Sequence, residues 1–173
     1  MEISFSTQPK LPKKLNEVSI GILNDRLADE YTAHYFYRNA ANWCNDAGYV
    51  KAGAFFEGEA EAELGHAKKL QEYLVGWNVK PTMPSIKGDL DFDGLVDIIN
   101  KAYNLEYNLM EKYNEDSLEI LNTDLTTFDF LQEFRTIQRG EVFEYADLLN
   151  GAALVDVTNK LDVLYFENQY FGG

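Results

Sequence analysis

Residues 60–70 read Ala60-Glu61-Ala62-Glu63-Leu64-Gly65-His66-Ala67-Lys68-Lys69-Leu70. On a helix, Glu63 and His66 stand three apart on one face, so a carboxylate and an imidazole can reach the same metal ion. In an acidic chain such a pair is common on solvated surface. Its meaning depends on whether other helices bring carboxylates to the same depth.

The pattern around this stretch is helical from about Tyr49 to Val75, with Phe55, Phe56, Ala60, Glu63, Ala67, Leu70 and Leu74 as its stripe. Before it, Val18, Ile22, Leu23, Leu27, Tyr31, His34, Tyr35 and Arg38 recur at spacings of three and four, predicting a helix over about Asn16 to Asn45. Asp46-Ala47-Gly48 ends that helix with a turn-former and a glycine. Residues 76–91 carry Pro81, Pro84 and Gly88 and read as an irregular crossover. A third helix is expected from about Phe92 to Leu121, then a tight corner at Asn122-Thr123-Asp124. A fourth is expected to run to Val155, capped by Thr126 or Thr127. Residues 1–13, with Pro9 and Pro12, read as an irregular arm. Within the tail at 156–173, Leu161 to Phe171 predicts one or two further helical turns. Short corners and one long link give two antiparallel hairpins joined by a crossover: an all-α four-helix bundle forming one domain over residues 1–173.

The bulk numbers agree. Hydrophobic residues at 46% exclude a disordered chain, and four prolines in 173 residues leave room for long helices. A net charge of −14 argues against nucleic acid and anionic membrane surfaces, and fits a protein that handles cations. Cys44 is the only cysteine, which excludes an internal disulfide and a thiolate zinc site and makes it a buried small hydrophobe. No stretch reaches the roughly 18 apolar residues of a membrane span, and the first residues lack a signal-peptide run. A soluble cytoplasmic protein is expected.

The polar residues on the apolar stripes carry the chemistry. Glu30 sits among Leu23, Leu27 and Tyr37; Glu106 among Ala102, Tyr103, Leu109 and Met110; Gln138 and Glu141 among Phe134, Ile137 and Tyr145. An unpaired carboxylate in a core costs several kcal/mol, roughly, so such positions persist mainly where a cation offsets them. Glu30 to Glu63 spans 33 residues and Glu106 to Gln138 spans 32, so the two hairpins bring their polar residues to matching heights. Each hairpin has one Glu on its first helix and a three-apart pair on its second, E-x-x-H and then Q-x-x-E. Glu30, Glu63, Glu106 and Glu141 supply four negative charges, which balance two divalent ions. Oxygen-rich ligation with one imidazole suits iron or manganese. Glu63 is the expected bridge: one ion takes Glu30, Glu63 and His66, the other Glu63, Glu106 and Glu141. Gln138 stands beside them and suits a bound water better than direct metal ligation.

These residues resemble the bacterial non-haem ferritins from about Leu23 to Phe166. The first-helix motif is Leu23-Asn24-Asp25-Arg26-Leu27-Ala28-Asp29-Glu30, followed by Tyr37 and Trp43-Cys44; the second is Glu63-Leu64-Gly65-His66 with Leu70. Glu106 follows Tyr103, Phe130-Leu131-Gln132 leads into Gln138-Arg139-Gly140-Glu141, and Leu164-Tyr165-Phe166 resembles the tail segment. The resemblance implies a ferritin-like fold and a ferroxidase centre of Glu30, Glu63, His66, Glu106 and Glu141, with Gln138 beside it and Tyr37 hydrogen-bonding to it. It implies Fe(II) as substrate, O2 or H2O2 as oxidant, Fe(III) as the stored product, no haem, and a homo-oligomer, with a 24-subunit cage preferred. Bacterioferritin would place a haem-ligating Met where Leu64 stands and a second E-x-x-H where Gln138 and Glu141 stand. Rubrerythrin needs rubredoxin-type cysteines, and mini-ferritins build their sites between subunits.

The chain also departs from that family. The carboxylates of a third iron site are replaced by Ala62, Ile137 and Gly140, so no third site of that kind is expected. Acids associated with mineral nucleation are replaced by Ala62, Gly65 and Lys68. The fifth helix is expected to be short or truncated, which leaves a smaller assembly open. The alternative function is a ferritin-like di-metal oxidase or metal-sequestering protein that does not mineralise iron. Of the remaining polar residues, His34 reads as a hydrogen-bonded residue near the site and not a ligand. Glu59 is divided between an inward path for cations and a solvated position. Glu57 and Glu61 read as a solvated face and Trp43 as core. Gly140 reads as space beside the metals or a bend.

Overall fold

The computed structural model describes residues 15–172. Among these, five helices follow in order: α1 Glu17–Ala47, α2 Val50–Gly76, α3 Leu95–Ile120, α4 Leu125–Ala152 and α5 Lys160–Tyr170. α1 packs along α2, α3 along α4, and α1 also meets α3, which makes two antiparallel hairpins into one bundle. The expected irregular arm at 1–13 lies outside the described residues.

The helix ends follow local chemistry. Asn16 caps α1 by accepting from the backbone N–H of Ser19 at 2.8 Å. Gly48 closes α1 in the left-handed region at φ 91°, where a Cβ would be strained. α4 is capped by neither Thr126 nor Thr127. The Asp124 carboxylate accepts from the Thr127 N–H at 3.0 Å, because a carboxylate facing the positive helix end is the better acceptor and Thr127 already lies inside the first turn. Asp124 also accepts from the Ser19 hydroxyl at 2.7 Å, which ties the α3–α4 corner to the start of α1.

The crossover between α2 and α3 is pinned along α1. Asn24 Oδ1 accepts from the Thr82 N–H at 2.8 Å, while Asn39 donates to the Gly88 carbonyl at 2.9 Å and accepts from the Leu90 N–H at 3.2 Å. This corrects the expected α1 stripe: Tyr35 is exposed, next to Gly88 of the crossover, and Val18 is exposed as well. The buried face carries Leu23, Leu27, Ala33, Phe36, Tyr37, Ala40 and Cys44. Trp43 is half-buried against the core. The tail forms more than the expected one or two turns: α5 has 11 residues, about three turns, with Asn159 accepting from the Leu161 N–H at 2.9 Å as its cap.

The core falls into two clusters. One contains Ala33, Phe36, Tyr37, Phe56, Ala60, Ala102 and Tyr145; the other contains Leu27, Ala67, Leu70, Leu109, Tyr113, Leu131 and Phe134. In every long helix the two sets are separated along the chain by the same kind of residue: Glu30 in α1, Glu63 and His66 in α2, Glu106 in α3, Gln138 in α4. A polar layer thus crosses the middle of the bundle between two apolar blocks.

Candidate metal centre

Glu30, Glu63, Glu106 and Gln138 are each 0–1% exposed, and His66 is 9% exposed. One oxygen each of Glu30 and Glu63 and one ring nitrogen of His66 lie within 4.8 Å of one another, a spacing that could hold an ion. His66 Nδ1 is 3.1 Å from Glu63 Oε2 and 3.5 Å from Glu30 Oε2. The i, i+3 register of α2 delivers Glu63 and His66 together, and the packing of α1 on α2 adds Glu30.

Glu106 comes from the opposite hairpin and is fully engaged. Tyr37 donates to its Oε1, and Gln138 Nε2 donates to its Oε2 at 2.6 Å. Glu141 is half-buried next to Glu59, and neither it nor Glu106 joins the three-residue cluster. Within this layer three buried oxygens have no hydrogen-bond partner: Glu30 Oε2, Gln138 Oε1 and Glu141 Oε2. Buried acceptors without donors are rare because each costs roughly 1–3 kcal/mol. Acceptors from two helices, α1 and α4, left open in a carboxylate-rich layer are what a bound cation would satisfy, so the donor set fits oxygen-preferring divalent ions.

The proton affinities reflect a crowd of like charges. Burial pushes the Glu63 carboxyl well above its usual range, and contact with Glu30, Glu106 and Glu141 adds to this. Burial pushes Glu106 up to about 7, against the opposing hydrogen bonds from Tyr37 and Gln138. Glu30 goes the other way: burial raises it, but polar contacts with His66 and Glu63 outweigh burial and hold it below the usual carboxylate value. His66 is raised: burial lowers it, but the Glu30 carboxylate overrides that. The layer thus favours protons on Glu63 and Glu106 and a charged carboxylate at Glu30.

His34 donates from Nδ1 to the Ala60 carbonyl at 2.6 Å, a bond between α1 and α2. Glu57 and Glu61 are exposed and form ion pairs with Arg38 at 3.0 and 2.8 Å. Burial and the neighbouring Glu141 and Glu144 push the half-buried Glu59 up to about 8, and Tyr145 donates to it at 3.3 Å. Burial raises the Cys44 thiol to about 12, so it is inert. Gly140 corrects an expectation. It is exposed and a Cβ there would meet nothing within 4 Å, so it does not make room beside the layer; α4 runs on through it.

Sequence reasoning missed Tyr113. It is fully buried and donates to Glu30 Oε1, as Tyr37 does to Glu106. A signal was available: Tyr113 follows Glu106 by seven residues, as Tyr37 follows Glu30.

A polar layer of this composition, carried by two antiparallel helix hairpins with one long crossover, defines a class of carboxylate-rich four-helix-bundle metal proteins. The chain belongs to the ferritin family: the family model for the ferritin-like domain matches residues 20–155. It is 27% identical over 158 residues to a bacterial non-heme ferritin of Campylobacter jejuni, covering 90% of this chain and 93% of that protein. It is 24% identical over 146 residues to a bacterial non-heme ferritin of Escherichia coli O6:H1, covering 83% and 87%. Among solved structures, an open pore ferritin from the archaeon Archaeoglobus fulgidus superposes with a TM-score of 0.82 at 18% identity, covering 91% of this chain and 98% of that one. A structure described as a humanized archaeal ferritin superposes at 0.84 with 19% identity, covering 91% and 96%. These likenesses establish the ferritin fold.

Proposed function

We propose that the chain is a ferroxidase and iron-storage protein. In this reading two Fe(II) substrate ions bind within one bundle, are oxidised by O2 or H2O2, and the Fe(III) product is stored in a homo-oligomeric cage. The observation that carries it is the buried layer itself: Glu30, Glu63 and His66 within reach of one ion, with Glu106, Gln138 and Glu141 across the bundle. Glu63 bridges, the first ion takes Glu30, Glu63 and His66, and the second takes Glu63, Glu106 and Glu141. Gln138 lies beside the pair, and Tyr37 orients Glu106.

The electron balance is simple. Two Fe(II) lose one electron each, and O2 takes both with two protons to give H2O2; with H2O2 as oxidant, the same two electrons and two protons give water. The carboxyl protons of Glu63 and Glu106 leave as the ions bind, because ligands must be deprotonated. The carboxylates hold and orient the ions, His66 serves one ion alone, and the apolar blocks on either side keep bulk water out.

Anaerobic Fe(II) titration followed by O2 tests the reaction. Two irons per chain and oxidation faster than the buffer control are expected; fewer irons or no acceleration removes the ferroxidase. Light scattering tests the cage: 24 chains of 19.8 kDa would weigh about 475 kDa. A second reading, a di-metal oxidase that does not mineralise, is favoured by the exposed face of α2, where Ala62, Gly65 and Lys68 supply no carboxylate. Oxidation without retained iron would select it.

A further inference from the structure

Tyr113 has no place in the reading above, yet its geometry is as specific as that of Tyr37. The two tyrosines form a crossed pair. Tyr37 of α1 reaches to Glu106 of α3, while Tyr113 of α3 reaches back to Glu30 of α1. Each lies seven residues after the Glu on its own helix and bonds the Glu of the other. Tyr37 belongs to one apolar block and Tyr113 to the other, so the polar layer is gripped from both sides. Each ring is held by its neighbours: Tyr37 stacks between Phe56 and Tyr145 at 6.1 and 6.0 Å, and Tyr113 stacks on Phe134 at 5.2 Å.

The two grips leave different openings. With Tyr113 on Oε1, Glu30 keeps Oε2 free of any hydrogen bond, facing His66 Nδ1 at 3.5 Å. With Tyr37 on Oε1, Glu106 has its second oxygen taken by Gln138.

We propose that Tyr113 is a positioning residue for the Glu30, Glu63 and His66 ion position. It holds Glu30 by one oxygen so that the other is presented to the ion, and it is the counterpart of Tyr37 at the opposite position. The inference rests on the two-metal reading above. A ligating carboxylate needs one free oxygen and a fixed plane, and a buried phenol on its other oxygen supplies the second. Loss of such outer partners commonly weakens metal binding by roughly 10- to 100-fold.

The test is anaerobic titration with Co(II), followed by its visible absorption, on wild type, Tyr113→Phe and Tyr37→Phe. Wild type should bind two ions per chain. Tyr113→Phe should weaken the first step at least about tenfold and alter the absorption of the first ion, leaving the second step within about threefold. Tyr37→Phe should show the opposite pattern. Equal weakening of both steps, or no weakening, in Tyr113→Phe overturns the proposal while leaving the two-metal reading standing. A wild type that holds no ion overturns both. If Tyr113→Phe does not fold, Tyr113→Leu and Tyr113→Met, which also lack the hydroxyl, are titrated in its place, and the same outcomes decide.

Discussion

Gln138 donates its amide hydrogen to Oε2 of Glu106 at 2.6 Å, which makes Glu106 the one terminal carboxylate of the layer with both oxygens engaged. An ion entering the Glu106 position must displace this bond, whereas the Glu30 position already offers an open oxygen. The two sites should therefore fill in sequence, Glu30 first. A hydrogen bond to a charged group contributes about 1.5 kcal/mol or more, roughly tenfold in affinity. Gln138→Leu should narrow the gap between the two Zn(II) binding steps by about tenfold in calorimetry. An unchanged gap would mean that Gln138 does not hold the second position closed.

The metal-free protein should lose stability as pH rises. Burial and neighbouring carboxylates push Glu106 to about 7 and Glu59 to about 8, from 4.5 in the unfolded chain. Between 4.5 and those values the folded chain binds protons that the unfolded chain has lost, so unfolding becomes easier through this window. Melting of EDTA-treated protein should fall from pH 6 to pH 8.5, and Glu106→Gln should flatten the profile. Zn(II) should reverse the trend and release protons on binding, read by calorimetry in two buffers of different ionisation enthalpy. A wild-type profile as flat as that of Glu106→Gln would contradict the protonated layer.

Glu167 links the tail to the bundle. Its Oε1 accepts from the backbone N–H groups of Lys51 at 2.7 Å and Ala52 at 3.0 Å, at a helix start where Tyr49 provides no side-chain cap. The carboxylate thus caps α2 from α5, favoured by the positive helix end. Glu167→Ala should cost about 1–2 kcal/mol in urea unfolding and make α5 more sensitive to protease. Glu167→Gln keeps an acceptor and should lose about half as much. Equal losses would point to charge alone as the source of the effect.

Gly140 offers a gain instead. It lies in mid-helix, exposed, with open space where a Cβ would go. Gly140→Ala should stabilise the chain by about 1 kcal/mol, raising the melting temperature by about 3 °C. Metal stoichiometry should not change. A drop in melting temperature would indicate that this surface is covered in the assembled protein.

The sequence alone determined the helices and the depth of the polar layer. Spacings of three and four made Glu30, Glu63, Glu106 and Gln138 stand out among apolar neighbours, and the near-equal hairpin spans placed them at one height. These are properties of a single helix repeat, which the order of residues encodes directly. Tertiary structure decided what crosses between helices. Tyr35 lies beside the crossover because Asn24 and Asn39 pin that segment to α1, a contact between residues about 50 apart. Tyr113 meets Glu30 across 83 residues, and Glu167 meets the start of α2 across 115 or more. Periodicity cannot encode such pairs, because they depend on which face of one helix docks against which face of another. For the same reason, Glu63 and His66 were legible as a pair from the start. The open oxygen of Glu30 and the closed pair on Glu106 emerged only once the hairpins were packed together.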